Sequence, residues 1–196
     1  MHGKRLSFVL AIWFVSVAVG FGLMLRLQIT PNVQVDAADL MPSVDSIVTE
    51  AGTPTLVMFL HPMCPCSRAS IAELERLRAR TPEVTTNIVS ISQDASWQES
   101  NLLRQVSGLD GIHLVTDTEG RIATRFNART SGETFLYEAE GALLFHGGIT
   151  QGRGHEGENP GSSAIFALLH GQQVSVPRSE VFGCPLFSAA MIGPLK

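Results

Sequence analysis

The sequence is poor in cysteine and in charge. It has three cysteines in 196 residues, too few for a disulfide framework, and the odd number leaves at least one thiol unpaired within the chain. Charged residues make up only 16% of the chain, and the net charge is −4. No basic run follows residue 26 and no internal repeat is visible. Because nucleic-acid-binding domains usually carry a basic face, we expect no nucleic-acid partner.

The apolar residues are concentrated in the N-terminal segment. A run from Phe8 to Leu25 is interrupted only by Ser16 and two glycines. As a helix this run is ~27 Å long, close to a bilayer core of ~30 Å. No small-x-small cleavage site follows directly, and a cleavable "VDA" lies far downstream at residues 35–37. We therefore predict an uncleaved transmembrane anchor over residues 7–26 in preference to the alternative, a cleaved signal peptide.

Basic residues flank this segment unevenly. Lys4, Arg5 and the amino terminus outnumber Arg26 on the far side. The positive-inside rule then leaves residues 1–6 in the cytoplasm and exports the rest of the chain. The exported side of a membrane is oxidising in most cells, so disulfide chemistry is permitted there.

Strand and helix patterns alternate after a linker at residues 27–51. The apolar run "TPTLVMFLH" (53–61) predicts a buried strand, and apolar spacing predicts a helix from Ser67 to Arg80. The remaining predictions are strands at 86–92 and 111–117, a helix from Ser96 to Val106 with a capping box at Ser96 and Glu99, a short helix within 118–128, a hairpin at 133–148, and a helix at 162–170 that stops at Gly171. This order predicts a mixed α/β sheet with helices on both faces.

Two cysteines, Cys64 and Cys66, flank Pro65 where the first strand gives way to a helix. Proline is favoured at the first helical position and pushes the preceding residue out of the helical region, so we expect Cys64 to be the N-cap. Its sulfur would accept from the backbone N–H groups of Cys66 and Ser67 and meet the positive end of the helix dipole. Both effects lower the pKa of the thiol and favour a nucleophile. The pair could also close a strained, easily reduced disulfide; the alternative is two inert core cysteines.

Four other residues are candidates for a supporting role. His61 precedes the pair and could tune or deprotonate a thiol. Arg153 and His155 lie in a segment with six glycines between residues 147 and 161, which is either a ligand loop facing the cysteines or an ordinary surface loop. Cys184 could be a third redox thiol, a metal ligand or a small buried hydrophobe, and we favour the last.

The pattern resembles the thioredoxin-like superfamily. "TLVMFLHPMCPCSRASIAEL" stands where that family has its redox-active turn, and "TSGETFLYEAEGALLFHGGI" is similar to its late hairpin. The resemblance covers residues 52–172 and implies a three-layer α/β/α sandwich with a mixed central sheet, followed by a C-terminal extension at 173–196. The chain also resembles membrane-anchored thioredoxin-like proteins of the bacterial envelope, which implies a periplasmic domain. It departs from the family in having one residue between its cysteines instead of two, and Gly132 or Ser131 where the family has a cis-proline.

Two functions fit these features. The first is a membrane-tethered thiol–disulfide oxidoreductase without a cofactor, which acts on protein clients; Cys64 attacks and Cys66 resolves the mixed disulfide. The second is a copper carrier in which Cys64, Cys66 and His155 bind Cu(I), because thiolates are soft ligands; this resembles the exported copper chaperones of oxidase assembly. We favour the first. A degenerate fold that only binds a partner is a further alternative, and a peroxidase ranks lower because His61 stands where the family's peroxidases have Thr or Ser.

Overall fold

The first 30 residues form a unit of their own in the computed structural model, which describes residues 2–187. Helix α1 spans His2–Ile29. Its part from Leu6 to Ile29 has a mean hydropathy of 2.5 and is long and apolar enough to cross a membrane. The predicted N-terminal apolar helix is therefore confirmed, and it ends three residues beyond the predicted span.

A second compact unit begins at Pro31 and contains all of the strands. Its strands are β1 (Thr55–Leu60), β2 (Thr85–Ser92), β3 (Ile112–Thr118), β4 (Glu133–Tyr137) and β5 (Leu143–Gly148). Its helices are α2 (Ser67–Arg80), α3 (Asn101–Ser107), α4 (Arg121–Arg125) and α5 (Pro160–Leu169), and a 3-10 turn spans Ala95–Glu99.

The five strands form one mixed sheet in the order β3-β2-β1-β4-β5. The strands β1, β2 and β3 run parallel to one another. The hairpin strand β4 pairs antiparallel with β1, and β5 pairs antiparallel with β4. The predicted mixed sheet is therefore confirmed, with β1 at its centre and the β1–α2 turn at one end of that central strand.

The central strand is apolar throughout because both of its faces are covered. Leu56, Met58 and Leu60 face a core shared with α2, α3 and α5, while Val57 and Phe59 face a second core shared with α4. Each of these fully buried side chains stabilises the fold by ~1.5–3 kcal/mol. The result is the three-layer sandwich that the sequence predicts.

Segments outside residues 52–172 also contribute to the second unit. Ile47 is buried, and the Asn87 side chain holds Val48 through two hydrogen bonds of 2.9 Å to its backbone. On the C-terminal side, Leu186 and Phe187 are buried in the second core. The segments that the sequence assigns to a linker (27–51) and an extension (173–196) thus pack on the sandwich from residue 31 onward; residues 188–196 lie outside the described residues.

Two predicted helix starts are wrong. The helix predicted from Ser96 is split, because the Asp94 side chain caps the 3-10 turn by accepting from the Ser96 N–H at 2.8 Å, and Ser100 caps α3 by accepting from Leu103 N–H at 3.3 Å. Two successive caps start two short elements instead of one helix. The last helix begins two residues early, at Pro160, where Asn159 is the cap and proline fits the first turn.

Candidate functional site

The turn between β1 and α2 carries two of the cysteines. Ser67 N–H donates to the Cys64 carbonyl at 3.1 Å, which closes a three-residue turn before the regular helix begins. Helix α2 starts at Ser67, and Cys66 is its N-cap residue, with helical angles of φ −70° and ψ −22°. The predicted assignment of Cys64 as N-cap and Pro65 as first helical residue is therefore wrong, because this tighter turn takes up the residues around Pro65.

The two cysteines of the turn differ in exposure. Cys64 is 3% exposed, whereas Cys66 is half-buried, and neither is disulfide-bonded. The two side chains interact, because Cys66 has a side-chain hydrogen bond with Cys64. A direct bond between sulfurs that are two residues apart in a helical turn would close a tight and strained ring.

The C-terminal segment brings the third cysteine to the same place. Ser131 N–H donates to the Cys184 carbonyl at 2.9 Å, Leu186 N–H donates to the Arg129 carbonyl at 2.8 Å, and Thr130 forms an antiparallel bridge with Pro185. The thiol of Cys184 is hydrogen-bonded to the thiol of Cys64.

The structure thus places Cys184 half-buried beside the pair, and not within the core as the favoured interpretation had it. The β-like pairing with residues 129–131 fixes this position.

Two serines connect this pairing to the cysteine turn. Ser131 Oγ lies 2.8 Å from Ser67 Oγ and accepts from the His61 N–H at 2.9 Å. The next residue, Gly132, donates to the Phe59 carbonyl at 2.7 Å with φ at +90°. Gly132 thereby joins the start of β4 to the end of β1, in a backbone conformation that glycine adopts without strain. Sequence analysis gave a role to the backbone N–H of Ser67 but none to its hydroxyl.

The surroundings of Cys64 favour its thiolate. Burial acts against the charged form, but hydrogen bonds from the Cys184 side chain and backbone, the Cys66 N–H and the Ser67 hydroxyl together lower the pKa of Cys64 below its ordinary value. The direction agrees with the sequence-based prediction. The hydrogen-bond donors agree only in part with the prediction. The predicted Cys66 N–H is among them, but Cys184 lowers the pKa of Cys64 more than Cys66 or Ser67 does.

The other two thiols are held in the neutral form. Burial and the neighbouring Cys64 raise the pKa of Cys66. Burial, the hydrogen bond to Cys64 and the charges of both other cysteines raise the pKa of Cys184 to about 12. The Arg153 guanidinium opposes both shifts. Of the three thiols, Cys64 therefore ionises most readily.

Arg153 lies near the cysteines and contacts the segment that carries Cys184. Its guanidinium donates to the Gly183 carbonyl and, at 2.6 Å, to Asn32 Oδ1. It thereby holds the residue that precedes Cys184. His155 is exposed, and its Nδ1 donates to the Arg153 carbonyl at 3.0 Å. His155 therefore contacts the Arg153 backbone.

The ring of His61 packs against Trp97, which lines a surface cleft together with Cys64. The two ring centroids are 4.8 Å apart, and His61 Nδ1 accepts from the Met63 N–H at 3.2 Å. Burial lowers the pKa of His61, so the ring is neutral at pH 7. The cleft has a volume of about 740 Å³, and its lining includes Met63, Cys64 and Trp97. The buried Cys64 thus forms part of the wall of this cleft.

The described side chains do not form a metal site. Within residues 2–187, no three His, Cys, Asp or Glu side chains are placed to hold one ion together. The copper alternative, which groups Cys64, Cys66 and His155, therefore gains no support from the geometry.

These features define the fold of the second unit. The strand order, the cysteine turn between β1 and α2, and the hairpin with its following helix form the thioredoxin-like fold, as the sequence resemblance implies. Neither a protein-family model nor a curated protein matches the chain.

Similar solved structures come from several bacteria. An uncharacterized conserved protein from Geobacillus kaustophilus is 16% identical, with a TM-score of 0.58 over 81% of this chain and 92% of that chain. A hypothetical protein from Sinorhizobium meliloti 1021 is 22% identical, with a TM-score of 0.57 over 82% of this chain and 99% of that chain. A secreted Mycobacterium tuberculosis disulfide oxidoreductase, described as homologous to E. coli DsbE, is 19% identical, with a TM-score of 0.46 over 62% and 83%.

Proposed function

We propose that the protein is a thiol–disulfide oxidoreductase in which Cys64 is the attacking thiol. One observation carries the proposal: Cys64, in the wall of a surface cleft, has its pKa lowered by hydrogen bonds from three residues. A thiolate is the reactive form in disulfide exchange, so this arrangement favours attack at neutral pH.

The chemistry follows from the thiols at hand. Cys64 attacks a disulfide of a protein client and forms a mixed disulfide, and one client sulfur leaves as a thiolate. A second thiol of the site then attacks the Cys64 sulfur and releases the client in reduced form. The Cys-Pro-Cys motif supplies one candidate for this second step, Cys66, and the C-terminal segment supplies another, Cys184. Run in reverse, the oxidised protein introduces a disulfide into a client.

The test compares Cys64→Ser with the parent in the full chain, kept in a mild detergent. Insulin reduction in the presence of dithiothreitol is the assay. We expect the Cys64→Ser rate to fall to that of dithiothreitol alone, while Glu140→Ala, a matched change at an exposed residue of the β4–β5 turn, keeps the parent rate. A Cys64→Ser protein as active as the parent would remove the proposal.

We further propose that α1 anchors the domain to the exported face of a membrane. The support is the apolar span Leu6–Ile29 together with the excess of positive charge before it. In a bacterial host this places the cysteines in the periplasm. Protease added to spheroplasts should digest the domain from Pro31 onward and leave the N-terminus protected; protection of the domain would reverse the orientation, and release of the protein by an alkaline wash would exclude the anchor.

A further inference from the structure

The C-terminal segment is held against the cysteine turn from three directions. Its pairing with residues 129–131 supplies two backbone hydrogen bonds, Arg153 donates to the Gly183 carbonyl, and Asn32 N–H donates to the Val181 carbonyl at 2.9 Å. A Cβ at Gly183 would collide with the Ser131 carbonyl, so the close approach depends on glycine. The segment is therefore built to present Cys184 at a fixed place.

That place is beside Cys64. The two thiols hydrogen-bond to each other, although 120 residues (184 − 64) separate them in the chain. Cys66 also contacts Cys64 through its side chain, but only one residue separates these two cysteines within a helical turn, so a disulfide between them would close a tight and strained ring. A disulfide between Cys64 and Cys184 would instead join two separate segments of the chain and leave the helical turn at residues 64–67 intact.

We propose that Cys184 is the resolving thiol of the oxidoreductase and that oxidation closes a Cys64–Cys184 disulfide. This inference rests on the proposed function, and it assigns the second step to a residue outside the Cys-Pro-Cys motif. In that step the Cys184 sulfur attacks Cys64 in the mixed disulfide, the bond between Cys64 and the client breaks, and the client sulfur leaves with the electron pair. The client takes up the proton that Cys184 loses. A dithiol reductant then returns the Cys64–Cys184 disulfide to two thiols.

The charges of the site suit this order of events. In the reduced protein, burial and the Cys64 thiolate keep Cys184 protonated. Once Cys64 is bonded to a client, its negative charge is gone, and the favourable charge of Arg153 remains. Cys184 therefore ionises more readily after the mixed disulfide forms than before it, so that the resolving thiol is activated by the first step.

The experiment follows the mixed disulfide with glutathione in the full chain in detergent. Oxidised glutathione is added to the reduced parent and to Cys184→Ala and Cys66→Ala proteins, and the adducts are quenched with acid, alkylated and measured by mass spectrometry. In Cys184→Ala we expect the Cys64 adduct to accumulate and to decay at least tenfold more slowly than in the parent. In Cys66→Ala we expect a Cys64–Cys184 bond to form, and peptide mapping of the oxidised parent should show the same bond.

A second variant keeps all three thiols. Gly183→Val should collide with Ser131 and displace the segment, so the glutathione adduct should persist as in Cys184→Ala. Val176→Ala, a matched change at an exposed residue of the same segment, should behave as the parent. If circular dichroism shows that Gly183→Val does not fold, the comparison of Cys184→Ala with Cys66→Ala alone tests the proposal.

The outcomes separate this inference from the proposed function. A Cys64 adduct that resolves at the parent rate in Cys184→Ala, with a Cys64–Cys66 bond in the oxidised parent, would overturn the assignment of Cys184 and leave the oxidoreductase intact. Absence of a Cys64 adduct in all proteins, with reaction at another cysteine or at none, would overturn both.

Discussion

The buried pair of Glu133 and His146 should hold residues 129–131 in place. We call these residues the platform, because the C-terminal segment that carries Cys184 pairs with them. Both side chains are 3% exposed or less, and Glu133 Oε1 lies 2.7 Å from His146 Nε2. The other carboxylate oxygen accepts from the N–H groups of Arg129 and Thr130 at 2.7 and 3.0 Å. One carboxylate thus holds the turn that pairs with the Cys184 segment.

Replacing Glu133 by alanine leaves these three donors without their common acceptor in a largely buried position. Breaking a buried pair in this way costs about 3–5 kcal/mol. With a denaturant slope of about 2 kcal/mol per M for a domain of this size, the urea midpoint should fall by about 2 M. Glu133→Gln keeps an acceptor oxygen and the size of the side chain, so it should lose only about 1–2 kcal/mol.

The assay is equilibrium urea unfolding of the full chain in detergent. The fluorescence of Trp97 in a Trp13→Phe background reports on the domain alone, and Glu140→Ala serves as an exposed control with an expected change of under ~0.5 kcal/mol. Glu133→Ala should also slow closure of the Cys64–Cys184 disulfide more than Glu133→Gln does. Equal midpoints for Glu133→Ala and the parent would refute the reasoning that this carboxylate supports the platform.

Three further predictions concern single groups. In a Cys66→Ala background, the pH midpoint of Cys64 alkylation by iodoacetamide should be higher in Cys184→Ala than in Cys184→Ser, because only serine retains a hydrogen-bond donor for the thiolate; equal midpoints would contradict the assigned hydrogen bond. Tyr137→Phe should stabilise the domain by about 1 kcal/mol in the same urea assay, since the buried Tyr137 hydroxyl has no hydrogen-bond partner among the described residues; a clear loss of stability would reveal a partner. Asp117→Ala should cost about 2 kcal/mol, because the buried Asp117 carboxylate accepts from the Ile122 and Ala123 N–H groups at 2.9 Å each and starts α4; an unchanged midpoint would show that α4 needs no cap.

The strands could be predicted because their residues are apolar in runs of strand length. "TLVMFL" is buried at every position, as expected for a central strand covered on both faces. The hairpin at 133–148 was signalled by two apolar runs around an acidic-Gly turn, and Gly141 has a φ of +89° there. Local pattern and tertiary structure agree in these elements, so their type was readable from the sequence.

The first residues of the helices were harder to predict, because several neighbouring residues could each serve as the N-cap. Asp94, Ser96 and Ser100 are all good N-cap types, and the sequence alone favoured Ser96. At the cysteine turn, the rule that proline takes the first helical position competed with a tighter turn closed by Cys64 and Ser67. Differences between such turns amount to a few tenths of a kcal/mol to about 1 kcal/mol, and packing decides them.

The candidate site was only partly visible in the sequence. Cys64, Cys66 and Arg153 were marked by a motif and by a glycine-rich loop. The position of Cys184 was not, because it arises from backbone pairing between segments over fifty residues apart (184 − 131), and backbone hydrogen bonds leave no trace in residue type. Gly183 was the one local signal: a glycine directly before a cysteine permits a close approach of two backbones.

The contacts that hold the C-terminal segment also indicate which part of the chain the proposed disulfide exchange needs. Asn32 and Gln34 each contact the C-terminal segment, through the Val181 carbonyl and, at 2.9 Å, the Ser179 carbonyl. A fragment that began at residue 52, where the family resemblance begins, would keep Cys64 and Cys66 but lose both contacts and the Asn32 partner of Arg153. Cys184 would then be held by residues 129–131 with a weakened anchor, so the resolving step should slow even though the fold and the Cys-Pro-Cys motif are intact. The part of the chain that supports the proposed chemistry therefore begins at residue 31, directly after α1, and the short segment that follows α1 helps to hold the segment that carries Cys184.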